Sequence, residues 1–182
     1  TLGIYTDTNG LRTATTEIDY LAYQDLSTKV DKSNLNEIFN YPIPSFQFEL
    51  QSRAIQHRIV DGPNLVTCLG DITPTHRDAM PAIADNIIRM SGIETVVVFA
   101  FIEDHIDSSV RSNNSTVDVD EFCKSVFGAQ FHGTAGSKGG IGGGRAPLGI
   151  ALTDEDAEDH REKMIEILEE TIRQRIIKKL GK

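Results

Sequence analysis

The apolar positions of the chain change their spacing several times, and each change predicts a different element. The segment LVTCLGDI at 65–72 and the apolar run within 94–104 both predict strands, the second of them buried on both faces. The segment 105–114 predicts a strand that pairs antiparallel with this second run through a charged turn. Two further strands are predicted at 1–6, where TLGIYT runs into the turn sequence DTNG, and at 145–152.

Between these runs the apolar residues recur every three or four positions, which predicts helices. Thr16 is a candidate N-cap for a helix that reaches Val30, and a second helical stretch is expected around Leu35, Ile38 and Phe39. The same spacing predicts helices at 46–58, at 79–92 with Gly92 closing it, at 116–128 with Asp118 as the cap, and at 153–182.

The order of these elements predicts an α/β fold, in which a helical linker precedes a C-terminal α/β domain with a mixed β-sheet flanked by helices. The segment YPIPSF at 41–46 is expected to form an extended hinge, because each proline disfavours helix at the residue before it. The apolar stripe of the last helix predicts packing on the parent domain, with a dimer or partner contact as the alternative.

Composition limits the classes of function. The formal net charge of −9 over 182 residues disfavours sequence-independent binding of long nucleic acids, although a local basic pocket remains compatible with it. Cys68 and Cys123 form no CxxC pair, which favours a reducing cytoplasm over a zinc site or a disulfide framework. The longest apolar run is too short to span a membrane. Since the sequence opens without Met on a predicted buried strand, we expect an N-terminal part to precede it.

Three side chains are candidates for chemistry. Asp7 follows the predicted first strand, where a carboxylate binds a divalent cation or only stabilises the turn. Arg111 lies beside hydroxyl groups in a predicted strand, and it suits a phosphate or carboxylate ligand as well as a surface ion pair with an acid. His132 is the histidine that adjoins the glycine-rich segment, and the other four are scattered without metal-ligand spacing.

The segment HGTAGSKGGIGGGRAPLG, at 132–149, places eight glycines in eighteen residues. Successive backbone N–H groups without Cβ atoms can form a concave anion site, and Lys138 supplies a positive charge within it. A mobile linker is the alternative, since the segment matches neither the Walker pattern nor GxGxxG. Its position between a predicted helix and a predicted strand favours a phosphate-facing loop.

Four segments, in order, resemble the second half of a DHH-family phosphoesterase of the RecJ-like or oligoribonuclease-like kind. GIYTDTNGLRTATT is similar to the last motif of the family's catalytic domain, and the helices with the YPIPSF hinge resemble its interdomain linker. DSSVRSN resembles the SLRS-type strand of the DHH-associated domain, and GGRAPLG within 134–149 is similar to the family's closing GGxIPLG motif. The resemblance covers roughly residues 1–150.

The resemblance implies a division of the chain and roles for several residues. The implied segments are the tail end of the catalytic domain at 1–15, a helical linker at 16–60, a DHH-associated substrate-binding domain at 61–152 and a C-terminal amphipathic helix at 153–182. By resemblance, Asp7 is a metal ligand and Arg111 contacts the substrate. The family's substrate-contacting histidine aligns with Lys138, and His132 is the alternative source of an imidazole. The candidate substrate-binding residues are Arg111, Ser112, His132, Gly136, Ser137, Lys138, Gly143 and Gly144.

The Asp-His-His cluster that names the family does not occur in this sequence. Family members typically use a pair of Mn²⁺ ions, so the resemblance implies that this chain cannot catalyse the reaction alone. We therefore expect the substrate-binding half of a metal-dependent phosphoesterase that acts on small nucleotides or short oligonucleotides. Its expected partner is an N-terminal catalytic domain; no membrane partner is expected, and a homodimer is a further possibility. The alternative is a non-catalytic module that binds a nucleotide or nucleic acid, or regulates.

Overall fold

The computed structural model describes residues 2–8, 10–11, 16–31, 33, 37, 40, 42–129, 132–149 and 158–181, with the backbone alone at Asp7, Glu158 and Asp159. The chain divides into two compact units, Thr1–Ile43 and Pro44–Lys182. The division falls within the predicted hinge, where Pro44 has the extended backbone angles φ −60° and ψ 144°. The predicted segment boundaries at 15, 60 and 152 stay predictions.

The first unit contains two described helices, α1 at Leu2–Asp7 and α2 at Glu17–Ser27. The predicted strand at 1–6 is therefore wrong. A strand must find backbone partners in a neighbouring strand, and none of the described strands pairs with this segment. As a helix it bonds locally instead, with the Thr8 amide donating to the Ile4 carbonyl at 3.1 Å and the Thr8 hydroxyl donating to the same oxygen at 2.6 Å.

The predicted cap of α2 is confirmed. The Thr16 hydroxyl accepts a hydrogen bond from the Asp19 amide, while the Asp19 carboxylate accepts one from the Thr16 amide at 2.8 Å. This reciprocal pair is a capping box, which satisfies two otherwise unpaired donors at the start of the helix. The helical stretch predicted around Leu35, Ile38 and Phe39 lies outside the described residues.

The second unit is built on a six-stranded sheet. Its strands are β1 at Ile59–Asp61, β2 at Asn64–Asp71, β3 at Thr95–Ile102, β4 at His105–Ser112, β5 at Thr134–Lys138 and β6 at Ile141–Pro147. They lie in the order β1-β2-β3-β4-β6-β5, with β2 and β3 parallel and every other neighbouring pair antiparallel. The α/β class with a mixed sheet is thus as predicted.

Helices cover the two sides of this sheet. They are α3 at Ser45–Gln56, α4 at Ala79–Ile87, α5 at Val119–Phe127 and α6 at Glu158–Leu180, with a single 3₁₀ turn at Pro74–His76. Helices α3 and α4 pack on one side, where Leu50 and Ile83 meet Val98. Helices α5 and α6 pack on the other side, where Phe122 and Ile176 meet Phe99. Strand β3 is consequently buried along its whole length, as its apolar run predicts.

The last helix packs on its own domain, as its apolar stripe predicts. Ile165, Ile172 and Ile176 are buried in the same cluster as β3, and Arg173 is buried beside them. The Arg173 guanidinium donates to the Glu169 carboxylate and to the His57 carbonyl, so this buried charge is compensated. No helix in the described part of the chain is both long enough and apolar enough to cross a membrane.

Of two predicted helix boundaries, one is wrong and the other is confirmed. Helix α4 ends at Ile87, and Ile88 is its C-cap, so Gly92 does not close it. The residues after Ile87 continue in short turns, since Arg89 bonds back to Asn86 and Met90 to Ile87 over three residues. The cap at Asp118 is confirmed, because its carboxylate accepts from the Glu121 amide at 2.9 Å.

The glycine-rich segment forms a β-hairpin, so its prediction as a loop is wrong. Strands β5 and β6 pair antiparallel from Thr134 with Arg145 to Lys138 with Ile141. Gly139 and Gly140 form the two-residue turn with φ of +59° and +81°, a combination that favours glycine and matches the twist of a hairpin. The last strand therefore begins at Ile141 and ends at Pro147, and residues 150–152 of the predicted strand lie outside the described part.

Candidate functional site

The two sides of the sheet are covered unequally at the hairpin end. Helix α5 packs on β5 and β6 from one side, and no described helix makes extended contact with the other side of these two strands. We call this side of β4, β6 and β5 the open face. Because side chains alternate along a strand, the open face carries Asp107, Ser109 and Arg111 from β4, Ile141, Gly143 and Arg145 from β6, and Thr134, Gly136 and Lys138 from β5.

The open face concentrates positive charge on an acidic protein. Arg111, Lys138 and Arg145 belong to its strands, and Arg77 borders it in the turn that follows β2. Asp85, Asp104 and Asp107 are the carboxylates that the described residues place next to these cations. Against a formal net charge of −9 for the whole chain, this local excess of cations suits an anionic ligand.

Arg111 is held by an ion pair. Its Nε donates to Asp85 Oδ1 at 2.5 Å and its Nη2 to Asp85 Oδ2 at 3.3 Å, while its Nη1 donates to the Ser109 hydroxyl at 3.0 Å. The arginine side chain is mostly buried, whereas more than half of the Asp85 side chain is exposed. The surface ion pair that the sequence left open as an alternative is thus present, with an acid that it did not single out.

Lys138 lies in the same cross-strand row as Arg111. Lys138 pairs with Ile141, and Ile141 pairs with Arg111, so the three residues project from one face. Gly136 and Gly143 form the next pair on that face, with Gly136 exposed and open space where its Cβ would be. The sequence candidates Arg111, Gly136, Lys138 and Gly143 are therefore brought together on the open face.

The other candidates do not share that face. Ser137, Ser112 and Gly144 alternate to the side of α5, and a Cβ atom on Gly144 would lie 2.6 Å from Phe127 Cβ. The Ser112 hydroxyl is within 2.9 Å of the Thr95 hydroxyl and accepts from the Asn114 amide. Gly144 and Ser112 have structural tasks here, namely close helix packing and a loop contact.

His132 precedes the hairpin at the end away from Lys138. It has a left-handed backbone with φ of +58°, and its amide donates to the Ala129 carbonyl at 3.0 Å. Since Thr134 pairs with Arg145, His132 lies nearest to the Arg145 end of the open face. His132 and Lys138 are therefore at opposite ends of β5.

A charged cluster around Asp107 is the feature that sequence reasoning missed. The Asp107 carboxylate, with a side chain only 2% exposed, accepts from Arg145 Nε at 2.7 Å and from Arg145 Nη2 at 2.9 Å. The Arg77 guanidinium donates to the same carboxylate. One signal was available, because an acid inside a predicted strand must find a cation if it is buried.

The two arginines control the ionisation of this carboxylate. Burial alone would raise the pKa of Asp107, but the hydrogen bonds from Arg145 and Arg77 and their positive charges outweigh that effect. The pKa of Asp107 therefore lies below its ordinary value. The carboxylate also raises the pKa of Arg145, so both partners stay charged throughout the physiological range.

The described residues do not form a metal site. No group of three or more His, Cys, Asp or Glu side chains within the described ranges is placed to hold a metal ion. Asp7, the predicted metal ligand, ends α1 in the first unit, and its side chain lies outside the described part. Both cysteines are buried, and burial raises the pKa of the Cys123 thiol to about 12 and also raises the pKa of Cys68, so neither thiol is ionised at neutral pH.

The fold and the open face define an α/β sheet domain with a cation-lined surface, and comparisons with known proteins agree with that fold. No family model matches the chain. It is 32% identical over 180 residues to an uncharacterized protein of Methanocaldococcus jannaschii; that match covers 98% of this chain and 35% of the relative. The chain thus spans about a third of the length of the curated relative that it matches.

A crystal structure of an exopolyphosphatase-related protein from Bacteroides fragilis has a similar fold. It superposes with a TM-score of 0.57 at 15% identity, and the match covers 93% of this chain and 49% of that chain. The C-Ala domain of alanyl-tRNA synthetase from Aquifex aeolicus, with a TM-score of 0.40 at 14% identity over 59% of this chain and 96% of that one, is more distant. The first of these likenesses shows a shared fold.

Proposed function

We propose that this chain is the substrate-binding part of a metal-dependent phosphoesterase that hydrolyses a phosphoester bond in a small nucleotide or short oligonucleotide. The open face of β4, β6 and β5 binds the substrate phosphate. Arg111 and Lys138 supply positive charge, and Gly136, which has open space where its Cβ would be, lets the ligand approach the backbone of the hairpin. The catalytic metals and the attacking water belong to another part of the longer protein.

One observation carries this proposal: Arg111 and Lys138 project from one cross-strand row on the side of the sheet where no described helix makes extended contact with β6 and β5, and where α4 contacts β4 and pairs with Arg111. Two cations from separate strands, with Ile141 between them, offer both charge and a small apolar contact for a nucleotide. A guanidinium recognises phosphate oxygens through paired donors, and a lysine adds a point charge. A short ligand also fits the acidic net charge better than a long polyanion does.

Ligand binding requires that Arg111 exchange its partner. Asp85 holds two of its donors, but the Asp85 side chain is 58% exposed, so solvent reaches the pair from the Asp85 side and weakens it. A phosphate therefore displaces Asp85 at small cost, while the bond from Nη1 to Ser109 keeps the guanidinium in place. Asp85 thus acts as a placeholder that keeps Arg111 oriented between substrates.

The motifs support the assignment to the DHH family. DSSVRSN supplies β4 with Arg111, and GSKGGIGGGRAPLG supplies most of the hairpin, so the two motifs lie side by side on the open face. The fold likeness to a protein described as exopolyphosphatase-related points to the same class of chemistry. Lys138, in the row of Arg111, is the better candidate for the phosphate next to Arg111 than His132, which lies at the far end of β5.

The described residues do not fit a pair of manganese ions, since they contain no cluster of three ligating side chains. In this proposal Asp7 is one ligand of Mn²⁺, and its companions come from the rest of the protein. Such a chain binds substrate by itself but does not turn it over.

The test is a titration with a 5′-phosphorylated dinucleotide in which calorimetry measures the affinity. Arg111→Gln and Lys138→Gln should each weaken binding by roughly tenfold or more, because hydrogen bonds and contacts to charged groups contribute about 1.5–3 kcal/mol. Arg58→Gln is the matched control, because it removes the same charge beside β1, at the opposite edge of the sheet. Equal affinity in all four proteins would overturn the proposed role of the open face.

A second candidate function is a binding module without chemistry, which the absence of a metal cluster from the described residues favours. Hydrolysis of the dinucleotide in the presence of Mn²⁺ separates the two. The phosphoesterase proposal expects turnover by the longer protein and none by this chain alone. Binding without turnover by the longer protein would select the module, and turnover by the chain alone would refute the division of labour.

A further inference from the structure

We propose that Arg77 and Arg145 form a second anion site on the open face, one that takes a phosphate-type oxyanion. It is distinct from the Arg111–Lys138 row. In assigning its ligand to a second phosphate of the same substrate, this inference rests on the proposed function, whereas binding of an oxyanion as such does not depend on it.

Three distant segments build the site. Arg77 comes from the turn after β2, Asp107 from the third position of β4 and Arg145 from β6. Asp107 and Arg145 are direct cross-strand partners, and Arg77 reaches the same carboxylate from the side of the 3₁₀ turn. The two guanidiniums are therefore fixed by one buried group, which holds them in a defined geometry before any ligand arrives.

The charges and donors of this cluster do not balance. One carboxylate compensates one of the two guanidiniums and leaves a positive charge. Each guanidinium has five N–H donors, and Asp107 receives bonds from one nitrogen of Arg77 and two of Arg145. Among the described residues no other acceptor takes the remaining donors. While Asp107 is 2% exposed, Arg77 and Arg145 are 51% and 47% exposed.

A purely structural ion pair would not need this arrangement. To neutralise the buried Asp107 carboxylate, one bidentate arginine suffices, and Arg145 already binds it through two nitrogens. Arg77 adds a second cation at the surface, where it approaches an already compensated acid. The two half-exposed guanidiniums, both held by Asp107, together present N–H donors that suit the oxygens of a tetrahedral anion.

The neighbouring titratable groups leave room for an anion. His105 Nδ1 lies 3.0 Å from Asp104 Oδ1, and His105 Nε2 lies 3.8 Å from Asp107 Oδ2, where it is buried without a hydrogen-bond partner among the described residues. Asp104 is the closest competing acid, but its carboxylate is exposed and screened by solvent. Asp107 itself lies behind the arginines and does not face the ligand.

The spacing of the two sites defines the ligand. The Arg145 row and the Arg111 row are four residues apart along β4 and β6, which corresponds to about 13 Å. A mononucleotide with one phosphate reaches one row. A short oligonucleotide places phosphates at both rows, so the site selects substrates with more than one separated phosphate.

The experiment is an NMR titration of the chain with inorganic phosphate at constant ionic strength, observed at the arginine side-chain Nε–H signals. We expect saturable shifts of the Arg77 and Arg145 signals, whereas the Arg58 signal, at the opposite edge of the sheet, stays unchanged. Shifts that are linear in phosphate, or equal for all three arginines, would overturn the site.

Two variants keep the test valid if a single arginine substitution destabilises the fold. Asp107→Asn retains both guanidiniums and one accepting oxygen for them and removes the competing charge, so phosphate should still bind saturably. The double variant Arg77→Gln with Asp107→Asn leaves no unpaired buried charge and should bind phosphate roughly tenfold or more weakly. A double variant that binds phosphate as tightly as the single one would show that Arg77 takes no part.

The outcomes for the two proposals differ. If Arg111→Gln weakens the dinucleotide while phosphate leaves the Arg77 and Arg145 signals unmoved, the second site fails and the proposed function stands. If phosphate shifts both signals but no nucleotide binds, the second site stands and the proposed function fails. If both stand, Arg77→Gln with Asp107→Asn should weaken a 5′-phosphorylated trinucleotide, whose first and third phosphates can span the two rows, but leave a mononucleotide unaffected.

Discussion

The glycines on the two sides of the glycine-rich hairpin have different surroundings. On the α5 side, a Cβ atom on Gly142 would lie 2.6 Å from Val119 Cγ1, and one on Gly144 would lie 2.6 Å from Phe127 Cβ. On the open face, a Cβ atom on Gly136 would meet nothing within 4 Å, whereas one on Gly143 would lie 2.6 Å from the Ser108 carbonyl oxygen of β4. Glycine thus lets a helix approach the sheet on one side, and on the other it lets strands pair closely at Gly143 and leaves open space at Gly136.

This contrast extends to the whole sheet. The side of α5 and α6 is a closed apolar layer, whereas the opposite side is closed by α3 and α4 only over its first strands. Stability is therefore expected to depend on residues of the closed side, and ligand affinity on residues of the open face.

The largest effect is expected from the closed side. Ile176→Ala removes a fully buried side chain from the cluster that includes Phe99, so the free energy of unfolding should fall by about 2–5 kcal/mol. Ile167, on the same helix but 68% exposed, is the matched control. Urea unfolding of both variants measures the difference, and equal losses would show that α6 does not pack as described.

The second prediction separates the two kinds of glycine. Gly144→Ala forces a methyl group against Phe127 and should lower the free energy of unfolding by about 1–3 kcal/mol. Gly136→Ala places its methyl group in open space, so its effect should stay within about 0.5 kcal/mol. If chemical denaturation gave the opposite ranking, the hairpin would present its faces the other way round.

The third prediction concerns pH and the Asp107 cluster. The pKa of Asp107 is lowered in the folded state, so its contribution to stability is fully present above the unfolded pKa of about 4 and is lost as the pH falls through the folded value. The stability difference between the wild type and Asp107→Asn should be constant near neutral pH and should shrink on acidification below about pH 4. A difference that does not depend on pH would exclude a charged Asp107.

The smallest effect is expected at Asp85. Asp85→Asn breaks an exposed ion pair and should change the free energy of unfolding by less than about 1 kcal/mol. If Asp85 is the placeholder for the substrate phosphate, the same variant should bind a phosphorylated dinucleotide more tightly than the wild type. Unchanged or weaker binding would contradict the exchange at Arg111.

The sequence predicted the order of elements well where the patterns are long. The apolar run of β3, the Asp118 cap and the stripe of α6 all predicted their elements, because burial and capping leave periodic or positional marks in a sequence. The two errors in element type share a cause. Whether TLGIYT is a strand, and whether a glycine-rich segment is a loop, depends on available partners, and partners are a tertiary property.

The candidate site likewise contains some residues that the sequence could identify and others that it could not. Lys138 and Arg111 could be selected from local sequence because a cation among glycines or hydroxyls is an unusual local pattern. Arg77 and Arg145 could not, because their shared partner Asp107 is distant in sequence from both.

By itself, the sequence determined the α/β class, the positions of most helices and strands, and the glycines without which α5 could not approach β6. The tertiary structure decided which of those glycines face a helix, which cations share a surface, and that Arg111 has Asp85 as its partner. The physical reason is that hydrophobic periodicity is local, whereas ion pairs and surface geometry arise between strands that only the folded sheet brings side by side.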